Sequence, residues 1–285
     1  MVERKVKYGV SNWIFLNEQL EKGFRRLKNV GYSYLELVGE PQNYVIETLN
    51  EFCEYYDLEI YGLLGNMQWP NYERDLINPN VNYRTKAIEY VKECLKFGNE
   101  LNNNCKMFSI SAAPKWKVKP LMKKVEDEWT HAIESFRKIG KIAEDYDMII
   151  AIEPLNRYET YFIRTADQAL KLVKDINMPE TIKISLNIFH MNIEEKNIAQ
   201  AIRKVGEKLV NLHVSDTNRG VIGSGHIDWK SVIRVIKEIK IDPFITIEPF
   251  IFGNDFIDTS MIASENLDMA LSDCLAALKY IERVS

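Results

Sequence analysis

The sequence predicts an α/β fold, a single (β/α)8 barrel of the TIM type, on three observations. Short apolar or β-branched runs alternate about eight times with longer segments of helical period, and no linker divides the 285 residues. Runs such as MIIAIE and FITIE are almost continuously apolar, which is typical of a parallel sheet covered on both faces. Eight such units in a chain of this length favour a closed barrel, so we expect one domain over residues 1–285.

The eight units follow one another along the chain without a segment left over. Each strand is a short run of apolar or β-branched residues, and the predicted strands cover residues 7–10, 34–37, 59–63, 106–110, 148–153, 182–186, 209–214 and 244–247. Each helix repeats apolar residues at helical spacing, and the predicted helices cover residues 17–30, 43–56, 82–101, 119–146, 166–176, 195–205, 229–239 and 264–282. An open doubly wound sheet is the alternative. It would usually carry a glycine-rich turn after the first strand, where this sequence reads GVSNWIF.

Composition excludes several classes of protein. The chain has 46% hydrophobic and 27% charged residues, which is ordinary for a globular protein. Its net charge of −4 argues against a nucleic-acid partner, since phosphate contacts usually need a basic face. No run approaches ~18 apolar residues, so no membrane span is expected. The N-terminal MVERKVKYGVSNW lacks the apolar core of a secretory signal. We therefore expect a cytoplasmic protein, in which the four widely spaced cysteines are free thiols.

Polar side chains stand at the ends of the last four predicted strands. The fifth strand ends at Glu153, the sixth runs through Asn187 to His190, the seventh carries His213, and the eighth ends at Glu248. Barrel chemistry sits at the C-terminal ends of the strands. Carboxylate, amide and imidazole groups gathered there can bind one divalent cation such as Mn²⁺, Mg²⁺ or Co²⁺. A single glutamate could be a rim salt bridge, but four successive strands favour a metal site.

Four stretches in the second half are distinctive in sequence. They read EPLNRYE at residues 153–159, FHMNIEE at 189–195, HVSDTNR at 213–219 with GSGHIDW behind it, and IEPF at 247–250. With them the chain resembles the ketose 3-epimerase family, of the D-tagatose and D-allulose (psicose) 3-epimerase type, within the xylose-isomerase-like barrel superfamily. The stretch DLINPNVNYRTKAIEYVKECLKFG also resembles the third βα unit of that superfamily. The resemblance implies a divalent-metal-dependent isomerase, with Mn²⁺ the expected ion, and a homodimer or homotetramer.

The resemblance also implies roles for individual residues. Glu153 and Glu248 would be metal ligands that double as the acid/base pair, and His213 would be a further ligand. Three more residues would contact the sugar near its carbonyl and first hydroxyls: Glu159, His190 and Arg219. The implied reaction is epimerisation of a free ketose at C3 through an enediolate, whose charge the cation would stabilise.

One position departs from the family pattern. The family's usual metal-binding aspartate, in the phrase DTFHMNIEE, is Asn187 here, within LNIFHMNIEE. An amide oxygen can still bind a cation, but it brings no negative charge, so weaker metal affinity is expected. Three interpretations are open: a natural variant with a weakened or altered site, a deliberate substitution that traps an inactive state, or a relative without epimerase activity. We favour a metal site of reduced affinity in the same place, so Asn187 stays in the predicted ligand set.

Other functions remain alternatives. An aldose–ketose isomerase of the same superfamily would use the same metal, and a non-catalytic sugar-binding relative would explain Asn187. A phosphorylated ketose is a further alternative, because the glycine-containing NRGVIGSGH follows the seventh strand, where barrel phosphate sites cluster. An apurinic-site endonuclease would need more than the four histidines present. Trp13, Trp69 and Trp116 follow early strands and either line the sugar site or pack between loops.

Overall fold

The structure, a computed structural model, describes residues 6–15, 18–102, 105–122, 124–239, 242–250 and 264–285. Within these ranges eight parallel strands close into a barrel, each pairing with its neighbours in sequence, and the eighth pairs with the first. The strands are β1 (Lys7–Ser11), β2 (Tyr34–Gly39), β3 (Glu59–Gly65), β4 (Met107–Ser111), β5 (Ile149–Glu153), β6 (Ile182–Asn187), β7 (Leu209–Val214) and β8 (Phe244–Ile247). The predicted (β/α)8 barrel is confirmed.

Helices follow every strand in the chain. They are α1 (Leu20–Val30), α2 (Ile46–Tyr56), α3 (Val81–Glu100), α4 (Val125–Asp145), α5 (Ala166–Ile176), α6 (Ile188–Glu194), α7 (Ile198–Val205), α8 (Trp229–Glu238) and α9 (Ser264–Val284). The bounds of α5, β7 and β8 coincide with those predicted. None of the helices that the structure describes combines the length and apolarity needed to cross a membrane. All four cysteines are buried and unpaired, as expected.

The segment after β6 differs from the prediction of one helix over residues 195–205. A short helix, α6, begins directly at the end of the strand, and α7 follows it. Asn187 is the N-cap of α6, because its Oδ1 accepts a hydrogen bond of 3.1 Å from the main-chain N–H of Phe189. Asn197 caps α7 in the same way, with Gln200 N–H as donor at 2.8 Å. The polar side chains that follow β6 are therefore held on a helix.

Alternation along the strands separates the apolar core from a polar barrel interior. Successive strand side chains point to opposite sides of a sheet. On β2, Leu35 and Leu37 belong to the main apolar core, whereas the intervening Glu36 is fully buried and contacts His213 of β7. A carboxylate and an imidazole thus meet inside the barrel, next to the C-terminal ends of the strands.

Main-chain pairing continues beyond the strands on one side of this end of the barrel. Isolated parallel bridges join Gln68 to Lys115 and Lys117 to Thr160, linking the loops after β3, β4 and β5. Lys117 is 1% exposed, and its Nζ lies 2.7 Å from Oδ2 of Asp75, which is also buried. These contacts fix three consecutive loops against one another.

Candidate active site

The C-terminal ends of the strands surround a cavity of about 560 Å³. Glu153, Asn187 and Glu248, which end or follow β5, β6 and β8, line it together with His190 of α6 and Arg219 from the loop after β7. The structure therefore brings five of the predicted site residues to one cavity. The cavity is large enough for a small molecule, whose sites commonly measure ~300–1,000 Å³.

The two glutamates are joined by one amide. Nδ2 of Asn187 donates to Glu153 Oε1 at 3.0 Å and to Glu248 Oε1 at 2.7 Å. The orientation of this amide is fixed, because its Oδ1 already accepts the N–H of Phe189. Carboxylates only accept and a main-chain N–H only donates. The two glutamates on one side and the Phe189 N–H on the other therefore select the same placement of the amide oxygen and nitrogen.

Glu248 receives two further hydrogen bonds. Arg219 Nη1 donates to its Oε1 at 2.9 Å, and Trp13 Nε1 donates to its Oε2 at 2.8 Å. The guanidinium also lies over the ring of Phe189, 4.1 Å from its centroid, and Trp13 stacks on Phe250. With the amide of Asn187, three donors hold this carboxylate in one orientation.

His213 lies beneath the cavity and is fully buried. Its Nε2 is 3.0 Å from Glu36 Oε2, while its Nδ1 is 3.3 Å from Glu153 Oε1 and makes no hydrogen bond within the described residues. Burial lowers the pKa of His213, but the charges of Glu36, Glu153 and Glu248 outweigh it and raise that pKa well above its ordinary value. For Glu153, burial raises the pKa, but the charge of His213 lowers it to about 2.

The tautomer of His190 is set by its neighbour Asn156. Asn156 Oδ1 accepts the N–H of Tyr158 at 2.9 Å, so its Nδ2 faces His190 Nδ1 at 2.8 Å and Glu159 Oε1 at 3.1 Å. His190 Nδ1 must then accept, which leaves the proton on Nε2. Burial lowers the pKa of His190 well below its ordinary value, and the charge of Arg219 lowers it further. The ring is neutral, with one N–H available as a donor.

Glu159 and the three rim tryptophans take different positions. Glu159 contacts Asn156 and Lys115 but is not among the residues that line the cavity. Trp13 lines the cavity, whereas Trp69 and Trp116 do not. Of these three tryptophans, Trp13 alone therefore lines the predicted sugar site.

A fixed carboxylate organises the loop after β7. Asp216 is fully buried, and its Oδ2 accepts from Gly223 N–H at 2.7 Å and from Trp229 Nε1 at 2.9 Å. Its Oδ1 accepts from Thr217 N–H at 2.8 Å. Burial raises the pKa of Asp216, but these donors outweigh it and lower the pKa below its ordinary value. The loop that carries Arg219, whose φ is +61°, is thus wrapped around one side chain.

The donor chemistry of the cluster fits a divalent cation. Two carboxylates and an imidazole nitrogen without a hydrogen bond are groups that Mn²⁺ or Co²⁺ accept. Donor atoms around an ion at ~2.1 Å lie roughly 3 Å apart, and His213 Nδ1 lies 3.3 Å from Glu153 Oε1. As placed, however, no three acid, imidazole or thiol groups among the described residues enclose a common point. The amide nitrogen of Asn187 stands between the two carboxylates instead.

A family model described as xylose isomerase-like TIM barrel matches residues 24–271. The chain belongs to this family. Within it, the chain is 32% identical to the D-psicose 3-epimerase of Ruminiclostridium cellulolyticum over 232 residues, which cover 79% of this chain and 76% of that enzyme. It is 39% identical to the D-psicose 3-epimerase of Enterocloster bolteae over 162 residues, 54% of this chain, and so spans about half (52%) of that relative's length. The predicted membership of the ketose 3-epimerase family is confirmed, and relatives named epimerases are isomerases.

The solved structures agree on the fold of this family member. D-Psicose 3-epimerase with D-tagatose from Clostridium cellulolyticum H10 superposes with a TM-score of 0.85 at 24% identity, covering 97% of this chain and 99% of that one. At this identity the likeness establishes the barrel and its connections.

Two residues of the site were missed in the sequence. Glu36 interrupts the apolar run YLELVG of β2, and a lone charge inside an apolar strand is a signal that could have found it. Asn156 lies inside the EPLNRYE stretch, but nothing local distinguishes its amide from that of any loop asparagine. Both residues contact a histidine of the site within hydrogen-bonding distance.

Proposed function

We propose that this chain catalyses metal-dependent epimerisation of a free ketose at C3 through an enediolate intermediate, with Glu153 and Glu248 as the acid/base pair. The supporting observation is that both carboxylates line one cavity from strands that are separated by β6 and β7. Groups so placed can flank a sugar at the mouth of the barrel. Epimerisation with two bases needs this arrangement, since one carboxylate removes a proton and the other returns one on the opposite face.

Glu153, His213 and Glu248 would hold the cation, for which Mn²⁺ is our first choice. When bound there, a divalent cation supplies Lewis acidity that stabilises negative charge developing on the substrate oxygens. Glu36 would orient His213 through Nε2, which leaves Nδ1 to face the site. Asn187, the fourth predicted ligand, turns its amide nitrogen and not its oxygen towards the carboxylates.

Two donors would bind and orient the sugar. His190 offers its Nε2–H as a neutral donor, and Arg219 offers the guanidinium N–H groups that Glu248 does not use. Glu159, predicted to touch the sugar, would act instead by fixing the amide of Asn156 and, through it, the ring of His190. Each group thus has a role in holding the carbonyl end of the substrate.

An unphosphorylated substrate is favoured over a phosphoketose. In the described lining of the cavity, both cations are paired: Arg219 with Glu248 at 2.9 Å and Lys115 with Glu159 at 3.4 Å. In the glycine-containing loop after β7, the N–H groups of Thr217 and Gly223 donate to the carboxylate of Asp216. A carboxylate inside that loop would repel a phosphate.

Solvent-deuterium incorporation at C3 of a ketose tests the proposal. The chain should exchange C3–H with ²H₂O when Mn²⁺ or Co²⁺ is supplied, and Glu153→Gln should abolish the exchange. Glu180→Gln, which changes a 95% exposed side chain just before β6, is the matched control and should exchange normally. No exchange by the wild type with either metal saturating would refute the proposal.

Product analysis separates the remaining alternatives. Transfer between C1 and C2 would identify an aldose–ketose isomerase. Calorimetric sugar binding without turnover under any metal would identify a non-catalytic relative. Light scattering would test the expected homodimer or homotetramer.

A further inference from the structure

Asn187 has one amide oxygen and two possible uses for it. The oxygen caps α6 by accepting the N–H of Phe189 at 3.1 Å, and Asn187 is 3% exposed, so no bulk water can replace that acceptor. A carboxylate at this position could cap the helix with one oxygen and bind a cation with the other. An amide that caps the helix with its oxygen instead turns its NH₂ group, a donor, towards the two carboxylates.

Turning the amide to present its oxygen to a cation would break several contacts at once. The NH₂ group would then face the Phe189 N–H, donor against donor, at the first turn of α6. Glu153 and Glu248 would each lose a hydrogen bond from Nδ2. Buried groups left without partners are destabilising. The placement seen here is therefore strongly preferred.

We propose that Asn187 is not a metal ligand but a bridging donor, whose NH₂ group holds Glu153 and Glu248 together in the metal-free protein and must be displaced when a cation binds. This inference deepens the proposed function and rests on it for the location of the cation. The chain then has a three-ligand site, Glu153, His213 and Glu248, which is stable without metal and binds it weakly. The amide offsets the repulsion that two neighbouring carboxylates would otherwise suffer.

Titration calorimetry with Mn²⁺ alone, on protein freed of metal by a chelator, distinguishes bridge from ligand. Asn187→Asp adds a charged oxygen while retaining the cap, and should bind Mn²⁺ at least about tenfold more tightly than the wild type. Asn187→Ser keeps a capping oxygen but removes the amide from between the carboxylates. It should bind Mn²⁺ no more weakly than the wild type.

Thermal unfolding supplies a second readout on the same proteins. Without metal, Asn187→Asp should unfold at a lower temperature than the wild type, because a third carboxylate replaces the bridging donor. With saturating Mn²⁺ the order should reverse, since tighter binding stabilises the folded state more. Asn197→Asp is the matched control: it changes the N-cap of the next helix, α7, at an exposed position, and should alter neither Mn²⁺ affinity nor the metal response.

These measurements show whether Asn187 is a bridging donor or a metal ligand, whether or not the chain proves to be an epimerase. A tenfold or greater loss of Mn²⁺ affinity in Asn187→Ser would mean that the amide oxygen is a ligand, and would overturn the proposal. Equal Mn²⁺ affinity and equal metal-free stability in Asn187→Asp and wild type would overturn it too. Should Asn187→Asp fail to fold, Asn187→Ser still decides. If C3–H exchange failed but the Asn187 variants bound Mn²⁺ as expected, the proposed reaction would be refuted and the bridging role of Asn187 would be supported.

Discussion

Glu36 offers a sharp test of how the site is held from within the barrel. It is fully buried on β2, and its two carboxylate oxygens lie 3.0 and 3.2 Å from Nε2 of His213. In Glu36→Gln one of these oxygens becomes an NH₂ group and the negative charge is lost. A hydrogen bond to a charged partner contributes ~1.5–3 kcal/mol, which is roughly ten- to a hundredfold in an equilibrium or rate.

We therefore expect Glu36→Gln to lower both Mn²⁺ affinity and C3–H exchange by ten- to a hundredfold, the range typical for residues that orient metal-binding histidines. Exchange would be followed by NMR in ²H₂O at saturating Mn²⁺, and Mn²⁺ affinity by calorimetry. Glu59→Gln, the same change at the opposite end of the neighbouring strand β3, is the control and should leave both unchanged. Exchange and affinity within twofold of the wild type in Glu36→Gln would show that Glu36 does not orient His213.

Three further predictions follow from buried polar contacts. Asn156→Asp places an acceptor at Nδ1 of His190 and so moves the ring proton away from Nε2. It should lower kcat for exchange about tenfold with little change in Mn²⁺ affinity. An unchanged kcat would contradict a proton on Nε2. Lys117→Ala leaves the buried Asp75 without its cation and should lower the free energy of unfolding in urea by ~3–5 kcal/mol, whereas a loss below about 1 kcal/mol would show that the pair is dispensable. The pKa of Asp216 is lowered in the folded state, so its stabilising contribution is present above the unfolded value of ~3.9 and is lost as pH falls below it. The difference in free energy of unfolding between wild type and Asp216→Asn, measured in urea, should therefore become smaller from pH 6 to pH 3. A difference that grows towards pH 3 would show that ionised Asp216 does not stabilise the fold.

The order of strands and helices was predictable because local pattern and global fold agree. Continuously apolar runs such as that of β5 can only be satisfied in a sheet covered on both sides, and α5 begins at a capping box in which Thr165 and Gln168 bond reciprocally. The predicted bounds of α5 therefore coincide with the observed ones. The short α6 was missed, because seven residues show too little periodicity and its start depends on one side-chain cap.

The candidate site was predictable as a set of positions but not as a set of contacts. Glu153, Asn187 and Glu248 stand at strand ends, and parallel strands bring their ends to one edge by construction. The partner of His213 could not be found this way, because Glu36 lies within β2 and not at the end of a strand. The direction of the Asn187 amide also depends on three separate neighbours, which only the folded chain brings together.

The bridges that join Gln68 to Lys115 and Lys117 to Thr160 have a practical consequence for engineering this barrel. Loops of such barrels are often treated as interchangeable parts, each grafted without regard to the others. Here the three loops after β3, β4 and β5 share main-chain partners and a buried ion pair, so they form one module. An exchange of substrate range by loop grafting should therefore move all three segments as a unit, or confine itself to point changes on the cavity wall.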